Sequence, residues 1–155
     1  MEESQTKRTI RLKTGDEVEI PEGNILRVVD GLLGFPDLEE YALVPHGGES
    51  PFFWLQSVRE EGLAFIVIDP RLFVPDYLPK VSSDDLAAVE LERIEEAVVL
   101  AVVVIPEDPR KMTANLQGPL IINPRKRLAR QVISQDPQHP IRYYIVPQED
   151  SGEKG

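Results

Sequence analysis

The sequence predicts one mostly β domain, a compact antiparallel β-barrel or sandwich-like fold with about one short helix. Three observations carry this expectation. Fourteen prolines punctuate the 155 residues. Proline removes a backbone donor and steers the preceding residue away from helix, so a bundle of long helices cannot be threaded through the chain. Short alternating or β-branched apolar runs recur between turn signals, which is the pattern of strands. The longest of them, residues 97–105 (AVVLAVVVI), carries no polar side chain and reads as a central strand buried on both faces.

Taken in order, residues 9–13 (TIRLK) and 17–20 (EVEI) alternate on either side of Thr14-Gly15-Asp16 and form a predicted hairpin. Residues 24–29 are a further short strand, closed by the glycines and proline of GLLGFP at 31–36. Residues 37–41 suit one helical turn, with Asp37 as cap and acids at its N-terminus. Residues 52–58 and 63–69 (LAFIVID) are rich in aromatic and β-branched residues and pair as a second hairpin across Glu60-Glu61-Gly62. A hydroxyl at Ser82 or Ser83, followed by Asp84, Asp85, Leu86 and Val89, is the one good helix signal. Residues 116–123, broken by Gly118-Pro119, read as a strand with a bulge or an edge position, and 128–134 and 141–146 complete the set. The domain is expected to span 1–147, and the polar, acidic residues 148–155 to be a disordered tail.

Composition removes several function classes. The absence of cysteine excludes disulfide scaffolds, thiol nucleophiles and thiolate-based metal sites. His46 and His139 stand far apart, outside any metal-ligand spacing, and read as loop residues. The phosphate-binding and serine-hydrolase motifs GxxxxGK[ST], GxGxxG and GxSxG do not occur, so neither cofactor nor catalysis is expected. No apolar run approaches the roughly 20 residues that a membrane-spanning helix needs. The first thirteen residues lack an apolar segment behind their charges, so no secretory signal is expected. The expectation is a cytoplasmic protein.

Charge is unevenly spread. Residues 1–109 hold nine Lys/Arg against 23 Asp/Glu, a net of −14; residues 110–142 hold seven against one, a net of +6; the whole chain carries −10. Such a surplus opposes contact with nucleic acid or anionic membrane and favours a basic protein partner. The basic cluster Arg125, Lys126, Arg127 and Arg130 follows a turn at Asn123-Pro124 and lacks the interleaved aromatics of single-strand binders. It reads as a solvated hairpin tip. The alternative function, a small-molecule or nucleic-acid binding barrel, has the +6 segment as its support.

Five blocks then converge: GLLGFP (31–36), PFFWLQS (51–57), LAFIVIDP (63–70), FVPDY (73–77) and VVIPEDPRKMTANLQGPLIINP (103–124). In combination and in this order they resemble the flagellar assembly factor FliW family, over residues 10–133. Pro36 stands where that family usually has an acid. The resemblance implies a small β-barrel-like protein without known catalysis that binds two proteins. One is flagellin; the other is CsrA, an RNA-binding translational regulator. Free protein would hold CsrA away from the flagellin messenger, acting outside its RNA site, and accumulating flagellin would take the protein up and release CsrA.

Contact residues are expected at two turns. Phe73, Pro75, Asp76 and Tyr77 lie between prolines, and Met112, Thr113, Ala114 and Asn115 follow a proline-rich corner. Both turns combine apolar or amide groups with backbone unsuited to regular pairing. The competing role for the first turn is to cover the core edge, and for Thr113 and Asn115 to cap a turn.

Overall fold

The protein is described by a computed structural model covering residues 6–146; the tail expected at 148–155 lies outside the described residues. The first hairpin pairs β1 (Lys7–Arg11) with β2 (Glu17–Pro21), Ile10 opposite Val18. A ring follows, made of β3 (Ile25–Val28), β4 (Glu40–Pro45), β5 (Phe52–Ser57), β6 (Ala64–Ile68) and β7 (Val98–Val104). Beyond the two-residue β8 (Thr113–Ala114), β9 (Leu120–Asn123) and β10 (Leu128–Gln131) complete it, with β9 pairing back onto β7. Seven strands therefore close as a barrel, all antiparallel except β10 against β3, which run parallel. A second two-residue strand, β11 (Tyr143–Tyr144), pairs with β8 and extends the sheet past the ring.

One edge of β7 serves two partners, β9 along Val98–Leu100 and β8 along Val103–Val104. The chain between them bulges through Gly118-Pro119, where proline cannot donate to a ladder. The strand expected over 116–123 is shorter in the structure: residues 115–119 are irregular and β9 begins at Leu120, after Pro119.

Strand alternation sorts the apolar residues into three cores. Leu26, Val28, Tyr41, Leu55, Val67, Leu100, Leu120, Ile122 and Ala129 fill the barrel. On one outer face Ile25, Ala42, Val44 and Trp54 are covered by the β1–β2 hairpin through Ile10 and Ile20. Gln56 locks that hairpin down: its buried amide accepts from Lys13 N at 2.7 Å and donates to the Ser57, Glu61 and Leu63 carbonyls. On another face Ile68, Val99, Ala101, Val103 and Ile121 lie under the segment between β6 and β7, through Tyr77, Val89 and Ala97. The run at 97–105 is apolar throughout because β7 is covered on both sides; its ends, Val98 and Val104, are exposed.

That covering segment holds the helix, α1 (Ser83–Ala88), capped by Ser82 Oγ accepting from Asp85 N at 3.1 Å. Val89 ends it in the core, and Glu90 turns the chain at a φ of 61°. Asn123 fastens the segment to the barrel by donating to Val89 O at 2.8 Å.

Two expectations are corrected. Residues 37–41 form no helical turn; the chain is extended and enters β4 at Glu40. Tyr41 points into the barrel and Ala42 under the hairpin, and burial on both faces outweighs the capping signal of Asp37. The last two runs are also shorter than expected, 128–131 and 143–144.

Candidate functional site

The structure brings the two turns singled out from sequence onto one face of the barrel. Asp69 caps a 3-10 turn at Pro70–Leu72, its carboxylate accepting from Arg71 N at 2.9 Å. Arg71 Nε then donates to Tyr77 O at 3.0 Å, folding residues 73–77 back over the sheet. Phe73 stacks on Tyr143 of β11 with ring centroids 5.5 Å apart. Tyr143 pairs with Ala114 of β8, and the Tyr77 hydroxyl donates to Leu116 O at 2.6 Å. The second turn is set by another capped 3-10 turn, Pro109–Lys111, with Asp108 accepting from Arg110 N at 3.1 Å.

Burial separates the expected contact residues. Tyr77, Thr113 and Ala114 are buried, so their side chains form part of the core. Tyr77 in particular anchors the covering segment, and burial pushes its phenol pKa up, with Arg71 opposing weakly. Asn115 is a turn cap: its Oδ1 accepts from Gln117 N at 3.0 Å and Gly118 N at 2.8 Å. Pro75 and Asp76 are exposed, and Phe73 and Met112 are half-buried. Beside them lie exposed Leu72, Leu78 and Tyr144. Leu72 and Tyr144 escape sequence reasoning because nothing local distinguishes an uncovered apolar residue from a covered one.

His139 has a structural role that its sequence context hides. Its ring packs on Tyr77 at 4.7 Å, Nδ1 lies 2.7 Å from Ser134 Oγ, and Nε2 lies 3.6 Å from Asp136. Ser134 is buried, and its hydroxyl oxygen accepts from Lys80 N at 3.1 Å and Asp136 N at 3.3 Å. Two backbone N–H groups thus occupy the lone pairs of the buried hydroxyl, which sits within hydrogen-bond distance of the His139 ring. The network ties residues 80, 134 and 139 into one corner.

The fold partners much of the basic segment with acids and carbonyls. Lys126 meets Glu90 at 3.3 Å, and Arg130 meets Asp85 at 3.2 Å and Asp30 at 3.3 Å. Arg127 donates to Glu22 O at 2.7 Å. Cations held this way make a poor phosphate groove. The covering segment, by contrast, exposes Asp84, Glu90, Glu92, Glu95 and Glu96. A cleft of about 570 Å³ opens between Glu90, Glu92 and Glu96 on one side and Pro124 and Arg125 on the other.

Comparison with known proteins agrees with this architecture. Residues 9–145 match the family model described as FliW protein. The flagellar assembly factor FliW of Leptospira biflexa is 44% identical over 149 residues, covering 94% of this chain and 97% of the relative. The protein of the same name from Treponema denticola is 45% identical over 127 residues, covering 82% and 86% respectively. A crystal structure of the flagellar assembly factor FliW superposes with a TM-score of 0.82 at 28% identity, covering 92% of this chain and 99% of that one. With its closed seven-strand barrel, its covering segment and a match running almost end to end, the chain belongs to the FliW family of flagellar assembly factors.

Proposed function

We propose that this protein acts in the cytoplasm by occupying two other proteins, flagellin and the translational regulator CsrA, and that it catalyses no reaction. Held CsrA cannot repress the flagellin messenger; rising flagellin takes the protein up and returns CsrA to the RNA. The observation that carries the CsrA half is the surplus of exposed carboxylates on the covering segment. A regulator that binds RNA must present basic groups. An acidic surface steers such a partner during encounter. Once docked, its carboxylates repel phosphates over roughly a Debye length, about 8 Å at physiological salt.

The test is a titration of CsrA at a series of salt concentrations, with the flagellin leader RNA present and absent. Affinity falls as salt rises, RNA binding by CsrA is suppressed, and added flagellin restores it. Glu92→Lys combined with Glu95→Lys slows association with CsrA without shifting the melting temperature. A salt-independent affinity would refute electrostatic steering. Indifference to both CsrA and flagellin would refute the function.

A further inference from the structure

Strand directions place the C-terminal ends of β3, β7 and β10 and the N-terminal ends of β4, β6 and β9 at one mouth of the barrel. Large apolar side chains collect there in solvent: Leu33 is 64% exposed, Val104 62%, Ile133 52% and Phe35 38%. Behind them an aromatic staircase leads inward, from Phe35 to Phe65 at 5.9 Å and from Phe65 to Tyr41 at 6.3 Å.

The turn presenting Leu33 and Phe35 is built from residues that tolerate positive φ. Asp30, a non-glycine residue, sits at φ 66°, Gly31 at φ 69° and Gly34 at φ 91°. A Cβ on Gly31 would lie 2.2 Å from Phe35 O. The turn is also pinned from outside: Gln131 accepts from Leu33 N at 2.8 Å and donates to Gly118 O at 2.9 Å, and Asp30 is paired with Arg130 at 3.3 Å. Three contacts and a glycine-dependent turn thus hold two large apolar residues at the solvent, where they line one exposed apolar patch.

The geometry points to this mouth as the docking surface for flagellin, an inference that rests on the proposed function. The loops around the mouth expose Asp37, Glu60, Glu61 and Glu107 and also Arg59, Arg110 and Lys111, a rim of mixed charge. The complementary partner is a segment with an apolar face and a polar rim of mixed charge. Of the two partners, an unassembled filament subunit fits the apolar floor. The contacts that its neighbours will cover in a permanent assembly are apolar and stay unpaired until assembly. CsrA, a reader of phosphates, instead suits the carboxylates of the covering segment.

Leu33→Asp and Ile133→Asp, singly and together, place an acid at exposed positions, and Phe35→Ala removes an aromatic without adding charge. Binding of purified monomeric flagellin and of CsrA is measured for each, beside the melting temperature. The expected result is at least a tenfold loss of flagellin affinity, with CsrA affinity within about twofold of wild type and the melt unchanged. Flagellin affinity that survives all three substitutions, while wild type binds it, overturns the docking surface and leaves the function standing. Equal loss of both partners at an unchanged melt overturns the assignment to flagellin. A wild-type protein that does not bind flagellin overturns the function and this surface together.

Discussion

Tyr41→Phe and Tyr77→Phe remove the same phenolic hydroxyl from two buried rings, and the structure assigns them opposite effects. The Tyr41 hydroxyl lies inside the barrel with no hydrogen-bond partner among the described residues. Burying a hydroxyl without a partner costs about 1–3 kcal/mol, so phenylalanine at this position stabilises the protein by up to that amount. The Tyr77 hydroxyl donates to Leu116 O at 2.6 Å in the outer core. Its removal loses the bond and leaves a buried carbonyl unsatisfied, a destabilisation of about 1–3 kcal/mol. Neither change leaves a cavity worth counting, because the ring stays. Urea unfolding at constant m separates the two: the midpoint rises for Tyr41→Phe and falls for Tyr77→Phe. In a chain of this size each kcal/mol moves the melting temperature by about 2–4 °C. A loss of stability in Tyr41→Phe as large as that in Tyr77→Phe would refute the reasoning, since it would require a partner for the Tyr41 hydroxyl.

Three further outcomes follow from named contacts. Burial raises both phenol pKa values above their ordinary 10.0, so the folded state favours the neutral form. Their contribution to stability is complete below pH 10 and is lost as pH climbs from about 10 toward the raised folded values. The double phenylalanine variant therefore loses stability less steeply above pH 10 in an alkaline melt series. Asn115→Ala frees the Gln117 and Gly118 amides and costs about 1–2 kcal/mol by chemical denaturation; an unchanged midpoint would show that the cap is redundant. Gly31→Ala drives a methyl into Phe35 O and costs about 3 kcal/mol or more; a wild-type melt in that variant would contradict the turn geometry.

The sequence makes legible what is local. Both hairpins and the Ser82 cap follow from alternation and capping chemistry, and each stands where those signals place it. What is set by distant residues is hidden. Nothing near Asp37 reveals that Tyr41 will be buried inside a barrel by strands far along the chain. The parallel closure of β10 on β3 leaves no local mark. The candidate contact residues divide for the same reason. Apolar character at a turn identifies Tyr77, but whether a turn folds onto the core or away from it depends on Arg71 and Leu116, which hold this one inward. Two residues of the sequence blocks also turn out to be architectural: Gln56 and Asn115 spend their amides on backbone groups.

The closing seam of the ring has a consequence for synthesis. The last ring strand to leave the ribosome, β10, pairs with the first, β3. Until Leu128 has emerged, β3 and β9 each present an unpaired edge, the template on which other chains aggregate. A nascent chain stalled before that residue is thus an open ribbon, sensitive to protease and dependent on chaperones. Four more residues convert it into a closed ring that offers neither edge.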